Sequence, residues 1–266
     1  NHVIDADIKG FFDNVNHDWL KKFLGERISD QNFLRLIGRF LKNGYMEEGV
    51  IHKSEQGTPQ GGIISPILAN VYLHYVLDLW IERAVKPNCR GAVEIVRYCD
   101  DFVICVQYKD EAEKILLALR ERLKKFNLEL AEEKTRILEF GRFAKRNAVA
   151  KSLRPATFNF LGFTHFIDKT RSGHFKLGRK TDRKKFSVKV TEMNEWLKSV
   201  RNLIQLKEIW KILKAKLRGH YQYYGVSGNY RSIQNFYKLT LKLVLKWANR
   251  RSQKKSFNWM TFLEYL

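Results

Sequence analysis

The segment Arg97-Tyr98-Cys99-Asp100-Asp101-Phe102 decides how the rest of this 266-residue chain is read. Two adjacent carboxylates, Asp100 and Asp101, lie between two apolar runs of strand length, 92–96 and 102–106, both rich in Val, Ile and Phe. Asp is depleted from strand interiors and favoured in turns, so the pattern predicts a β-hairpin with both acids at or beside its tip. Neighbouring carboxylates repel each other, and a divalent cation between them reverses the sign of that interaction. Carboxylate oxygens are hard ligands and suit Mg²⁺ or Mn²⁺. A bare Asp-Asp pair is also a common polar turn, so its meaning depends on the surrounding chain.

Upstream, residues 3–8 read as a strand. Alternation places Val3, Asp5 and Asp7 on one face and Ile4, Ala6 and Ile8 on the other. Two acids on one strand face require water or metal beside them. Gly10 breaks this strand before Phe11, Phe12 and Asp13, and Asp13 is expected to cap a helix starting near His17. Residues 30–41 carry helical spacing at Phe33, Leu34, Ile37 and Leu41, and 44–55 read as a strand pair turning at Glu48-Gly49. The glycines of Gly57-Thr58-Pro59-Gln60-Gly61-Gly62 allow close approach of backbone to a ligand. Ser65-Pro66 then predicts a helix start, with Ser65 as the cap, and the helix is apolar over much of its circumference to about Arg83, hence buried.

Downstream, Asp110 to Glu113 reads as a capping box opening a helix with Ile115, Leu119, Leu123 and Phe126 inward. Lys134 precedes a strand at 136–140. Residues 158–163 alternate as one strand, and Ser172-Gly173 predicts a hairpin turn. From about Lys184 the pattern is helical. Residues 206–217 carry an apolar stripe of Leu206, Ile209, Trp210, Leu213 and Leu217 beside a basic stripe of Lys207, Lys211, Lys214 and Arg218. A second basic row, Lys238, Lys242, Lys246 and Arg250, follows at i, i+4 spacing. Like charges so placed destabilise an isolated helix, and a phosphate backbone would offset that.

The net charge of +21 is concentrated: residues 179–266 hold 21 Lys and Arg against 5 Asp and Glu. Such a field points to a polyanion, nucleic acid first. No run approaches the ~20 apolar residues that span a bilayer. Cys89, Cys99 and Cys105 form no CxxC pair and read as reduced intracellular thiols, so the expected location is the cytoplasm.

In order, these pieces resemble the reverse transcriptases encoded by bacterial group II introns. The stretch from Asp7 through Ile8, Lys9, Gly10, Phe11 and Phe12 to Asp13 resembles polymerase motif A. The stretch from Thr58 to Pro66 resembles motif B, and Tyr98-Cys99-Asp100-Asp101 resembles motif C with Cys where the family has Ala. Glu133-Lys134-Thr135 is similar to motif D, and Phe160-Leu161-Gly162-Phe163 to motif E. Leu217 to Tyr221 and Arg250-Arg251-Ser252 resemble the maturase thumb called domain X. Five ordered motifs are far more specific than any one of them.

The resemblance implies an α+β fold: a right-hand polymerase palm, an antiparallel sheet backed by helices, followed by a helical thumb. Expected boundaries are 1–157 for the palm with residual fingers elements, 158–180 for a primer-grip hairpin and 181–266 for the thumb. It implies RNA-directed DNA synthesis, in which a primer 3′-hydroxyl attacks a dNTP with the help of two Mg²⁺ ions, Mn²⁺ being a possible substitute. Asp7, Asp100 and Asp101 would be catalytic and hold both metals, joined by the Ile8 carbonyl. Ile8, Lys9, Gly10, Phe11, Phe12, Gln60, Gly61 and Lys134 would form the nucleotide site. Phe12 would lie beneath the sugar, and Lys134 would face the leaving phosphates. Phe160, Leu161 and Gly162, with the basic stripe, would contact nucleic acid. Implied partners are an RNA template, a DNA primer and intron RNA, with no membrane. The family's fingers region precedes motif A and is absent from this sequence. Residues 1–266 alone are therefore expected to be nearly inactive until an N-terminal segment joins them. Two alternatives stand beside the polymerase: an RNA-binding maturase with a vestigial site, and a domesticated relative in DNA repair or phage defence.

Overall fold

The computed structural model describes residues 1–42, 45–47, 50–52, 57–58, 62–251 and 257–265, and the chain divides into two compact units, Asn1–Ala156 and Thr157–Leu266. In the first unit, β1 (His2–Ala6) is followed by α1 (Phe11–Asn14), α2 (His17–Gly25), α3 (Gln31–Lys42), and the short pair β2 (Tyr45–Glu47) and β3 (Val50–His52). Then come α4 (Ser65–Leu73), two π-helical turns (His74–Asp78 and Ile81–Val85), β4 (Val93–Tyr98), β5 (Asp101–Val106), α5 (Lys109–Lys125), β6 (Arg136–Glu139) and α6 (Ala144–Ala150). The main sheet has the order β4-β5-β1-β6 and is antiparallel throughout.

One face of this sheet builds the core. Ile4, Ala6, Phe102 and Ile104 are buried together with Ile115, Leu119 and Leu123 of α5 and Leu68, Tyr72 and Leu73 of α4. Tyr72 is fully enclosed and donates its hydroxyl to the Phe126 carbonyl at 2.8 Å; burial pushes its phenol up to about 12. The opposite face of β1 keeps its acids.

Three local expectations need correction. Asp13 caps nothing; it lies inside α1, and Asn16 caps α2 by accepting from the Asp18 and Trp19 amides at 3.0 Å. Ser65 is the first helical residue rather than the cap, because Ile64 already has helical dihedrals. Asp110 to Glu113 form no capping box, because α5 already starts at Lys109 with Tyr108 at the cap position and no side chain capping it; Glu111 instead turns back and accepts from the Arg90 and Gly91 amides at 2.6 and 3.3 Å, satisfying a loop that enters β4.

The second unit opens with an antiparallel sheet, β7 (Phe158–Phe160), β8 (Phe163–Lys169) and β9 (Phe175–Thr181). Residues 158–163 are therefore two strands, not one. Leu161 and Gly162 both have positive φ, 48° and 74°, as a two-residue hairpin turn of right-handed twist requires. The helices α7 (Arg183–Val200), α8 (Leu206–Tyr224), α9 (Tyr230–Ala248) and α10 (Trp259–Tyr265) follow. Leu197, Ile209, Leu213, Phe236, Val244 and Phe262 are the centre of a separate core. The class is α+β, as the pattern predicts.

His220 sits against this second core, its ring stacked on Phe236 at 3.8 Å between centroids. Burial, with a smaller contribution from Lys189, pushes its imidazole down to about 4. Below pH ~6.5 the unfolded chain binds a proton that the folded chain refuses until about pH 4. Stability from this group is therefore complete above 6.5 and is lost as pH falls towards 4. His220→Phe should lose less thermal stability than the parent across that window, measured by calorimetry; parallel curves would contradict the assignment.

Candidate active site

Strand register brings the acids to one end of the main sheet. Asp5 pairs with Val103 and Ala6 with Phe102; one further step along that register sets Asp7 level with Asp101. Tyr98 pairs with Asp101, so Cys99 and Asp100 form the two-residue turn between β4 and β5. Cys99 has φ 54°, the left-handed value such a turn needs at its first position and one that a Cβ disfavours. Asp101 is exposed, whereas Phe102 beside it is buried, as strand alternation dictates.

The loop after α5 lies along the backbone that follows β1. The Lys9 amide donates to the Glu129 carbonyl at 2.9 Å, and the Ala131 amide to the Asp7 carbonyl at 2.8 Å. Ile8 and Leu130 are thus a non-hydrogen-bonded pair, so the Ile8 carbonyl is directed away from this loop, while its side chain is buried. The same loop delivers Lys134, whose Nζ is 2.6 Å from Asp7 Oδ2. That hydrogen bond chiefly, with the charge of Asp7 and smaller contributions from Glu133 and Asp101, raises the Lys134 ammonium above its ordinary value. Arg136 pairs with Asp5 at 3.0 Å. Burial pushes the Asp5 carboxyl up, and Arg136 partly opposes it.

The segment after β1 is clamped to the start of the glycine-rich loop. Thr58 donates its amide to the Phe12 carbonyl at 2.7 Å, and Gly57 donates to the Val15 carbonyl at 2.8 Å. The Gly57 carbonyl lies 2.6 Å from His17 Nε2; a carbonyl can only accept, so the buried His17 carries its proton there. Gly57 has φ +84°, and a Cβ at this position would stand 2.8 Å from the Phe12 and Asp13 carbonyl oxygens. Gly10, φ +51°, opens α1; Lys9 is exposed, Phe11 is buried, and Phe12 is half-buried with its ring edge-on to Phe11 at 5.3 Å. Gln60 and Gly61 lie outside the described residues. In the second unit, the Phe160-Leu161-Gly162 turn is held by Tyr223, whose hydroxyl donates to the Leu161 carbonyl at 3.0 Å.

Residues 1–165 match the family described as reverse transcriptase (RNA-dependent DNA polymerase). The chain belongs to that family. Among curated proteins it is 28% identical to the group II intron-encoded protein LtrA of Lactococcus lactis, over 88% of this chain and 50% of that protein. It is 36% identical to protein YkfC of Escherichia coli K12, over 51% of this chain and 42% of that protein. The chain thus spans about half the length of the curated relatives it matches. Among solved structures, apo telomerase from Candida tropicalis aligns with 99% of this chain and 45% of its own, at TM-score 0.50 and 17% identity, a likeness of fold. The resemblance to group II intron reverse transcriptases and the polymerase fold both hold.

The family depends on divalent metal, and the donor chemistry here fits it. The carboxylates of Asp7, just past β1, of Asp100 in the β4–β5 turn and of Asp101 at the start of β5 share one end of the sheet, and a cationic ammonium is held against Asp7. The expected trio is not, however, a finished cage. Among the described residues, no three His, Cys, Asp or Glu side chains converge as a ligand set. Asp7 is engaged by Lys134.

The basic residues of the second unit divide. Lys207, Lys211, Lys214 and Arg218 are all exposed on α8. Lys211 is partnered by Glu208 at 3.3 Å. Lys214 and Arg218 edge a cavity of about 820 Å³ with Trp210, Leu217, Tyr221 and Tyr237. Lys246 on α9 and Arg250, which lies past the end of that helix rather than in its basic row, sit over the Trp247 ring at 4.9 and 5.3 Å. Cys89, Cys99 and Cys105 are free thiols, and among the described residues no helix is long and apolar enough to cross a membrane. The contacts of His17 with Gly57 and Arg136 with Asp5 had no sequence signal, since nothing in local spacing names His17 or Arg136 as their partners.

Proposed function

We propose that this protein is an RNA-directed DNA polymerase of the group II intron type, extending a DNA primer with dNTPs along an RNA template. The observation that supports the reading is the strand register, which carries Asp7, just past β1, to the same end of the sheet as Asp101 and the turn that holds Asp100, with Lys134 bonded to Asp7. Asp7, Asp100 and Asp101 would hold two Mg²⁺ ions, with Mn²⁺ as a substitute and the Ile8 carbonyl as a backbone ligand. When bound, such ions activate the attacking hydroxyl and stabilise the leaving oxygen. Lys134 would leave Asp7 for the triphosphate as the site loads, placing its charge where negative charge leaves. Lys9, Gly10, Phe11, Phe12, Gln60 and Gly61 would line the nucleotide. The first unit serves as the palm and the second, from the Phe160-Leu161-Gly162 primer grip onward, as the thumb. The natural partners are template RNA, primer and intron RNA, in the cytoplasm.

Extension of a DNA primer on an RNA template, by the full-length protein in Mg²⁺ and again in EDTA, tests this directly. Template-directed products that vanish in EDTA support it; RNA binding without products supports the splicing-cofactor reading instead.

Phe12 supplies a finer test. Its ring is only half-buried, so it is available to the sugar as well as to Phe11. Phe12→Ala should raise ribonucleotide use, read as the dNTP-to-rNTP ratio of kcat/KM; an unchanged ratio would make the ring core packing alone. Lys207, Lys211 and Lys214 replaced together by Gln should weaken primer–template binding at every sequence. The slope of log K against log salt should flatten by about 0.7–0.9 per lost phosphate contact. Unchanged affinity and slope would mark that face as merely solvated.

A further inference from the structure

Arg97 immediately precedes the turn that carries Asp100, and its guanidinium is committed almost completely. Nε and Nη2 fork onto the Asp78 carboxylate at 2.7 and 2.5 Å. Nη1 donates to Asn70 Oδ1 and to the Cys99 carbonyl, both at 2.9 Å. The side chain is 11% exposed, so these bonds form mostly out of water, where they are strongest.

The supports come from one helical segment. Asn70 lies in α4, and Asp78 lies eight residues later at the end of the first π-helical turn. At about 100° per residue, two positions eight apart on an α-helix diverge by about 80°. The π turn inserts one residue into the ladder, so the pair is spaced as if seven apart, within about 20° of one face. The π turn is thus what presents Asn70 and Asp78 to Arg97 together. On the other side, β4 is the edge strand of its sheet, so among the described residues only β5 pairs with it. The Cys99 carbonyl belongs to a residue at φ 54°, in a region non-glycine residues avoid.

We propose that Arg97 is a positioning residue for catalysis. Through the Cys99 carbonyl it sets the turn that aims the Asp100 carboxylate, with Asn70 and Asp78 as its fixed supports. This rests on the polymerase reading above. It ties the helix after the glycine-rich loop to the metal-binding turn by a single side chain. The planar fork cannot be replaced by a point charge, so Arg97→Lys keeps the sign but not the geometry. Asn70 is exposed, and Asn70→Ala removes one support without burying an unpaired charge.

The test uses the full-length protein with three variants, Arg97→Lys, Asn70→Ala and Asp100→Asn. Mn²⁺ affinity is measured by electron paramagnetic resonance without nucleic acid or dNTP. The single-turnover extension rate, primer–template Kd and thermal midpoint are measured alongside. Arg97→Lys should lower both Mn²⁺ affinity and rate roughly 10- to 100-fold, while primer–template Kd stays near that of the parent. Asn70→Ala should move the same two readouts in the same direction by less, at an unchanged midpoint. Parental Mn²⁺ affinity in both variants, or a rate lost only in proportion to the folded fraction, would overturn the proposal. A parent that extends no better than Asp100→Asn would overturn the polymerase reading instead, and the Mn²⁺ comparison would still decide the role of Arg97.

Discussion

Asp100→Asn is expected to lower nucleotide addition on the order of 10³- to 10⁴-fold while leaving the fold intact. The amide keeps the size and shape of the carboxylate but removes the charge that binds a divalent cation. Asp100 lies in a half-exposed turn, so the substitution buries no unsatisfied group in the core. RNA affinity should hold or rise slightly, because one negative charge beside a polyanion is gone. Single-turnover extension in Mg²⁺ and a filter-binding assay on the same preparation read the two effects separately. Full extension by the variant would remove Asp100 from the catalytic centre.

The second large effect is structural. Gly57→Ala forces a Cβ to within 2.8 Å of two carbonyl oxygens, at a φ of +84°. Neither contact is with a flexible side chain, so the segment 12–15 must shift or the hydrogen bonds from the Gly57 and Thr58 amides must break. Strain and lost hydrogen bonds together should cost about 2–4 kcal/mol. For a unit of this size that corresponds to a fall in thermal midpoint of roughly 5–15 °C. Nucleotide affinity should weaken beyond the stability loss, because Phe12 moves with its carbonyl. A variant with the parental midpoint would show that the clamp between these two segments is not tight.

Much of this was legible in the sequence because the decisive signals are local. The hairpin around Asp100 follows from two apolar runs flanking a polar pair. The face shared by Asp5 and Asp7 follows from alternation along β1. The helical stripe of Ile209 and Leu213 follows from spacing, and both residues are buried. What failed was local grammar overruled by distant partners. Asp110 to Glu113 have the spacing of a capping box, but the helix starts ahead of Asp110, at Lys109, and Asp110 accepts from the Arg90 guanidinium instead. Residues 158–163 alternate like one strand, yet positive φ at Leu161 and Gly162 folds them into two. The pairing of Asp7 with Lys134, 127 positions away, and the Arg97 network depend on register and on a π turn, which no periodicity announces. Gln60 and Gly61 rest on the motif resemblance alone.

The central claim is that this fold copies RNA into DNA, with Asp7, Asp100 and Asp101 as its catalytic acids. The most direct measurement is single-nucleotide incorporation by the full-length protein, on a DNA primer annealed to RNA templates that present each of the four bases in turn. The account predicts that in Mg²⁺ only the complementary dNTP is added, that the matching rNTP is strongly disfavoured, and that Asp7→Asn abolishes addition without loss of primer–template binding. Tight RNA binding with no addition of any nucleotide, in Mg²⁺ or in Mn²⁺, would contradict it.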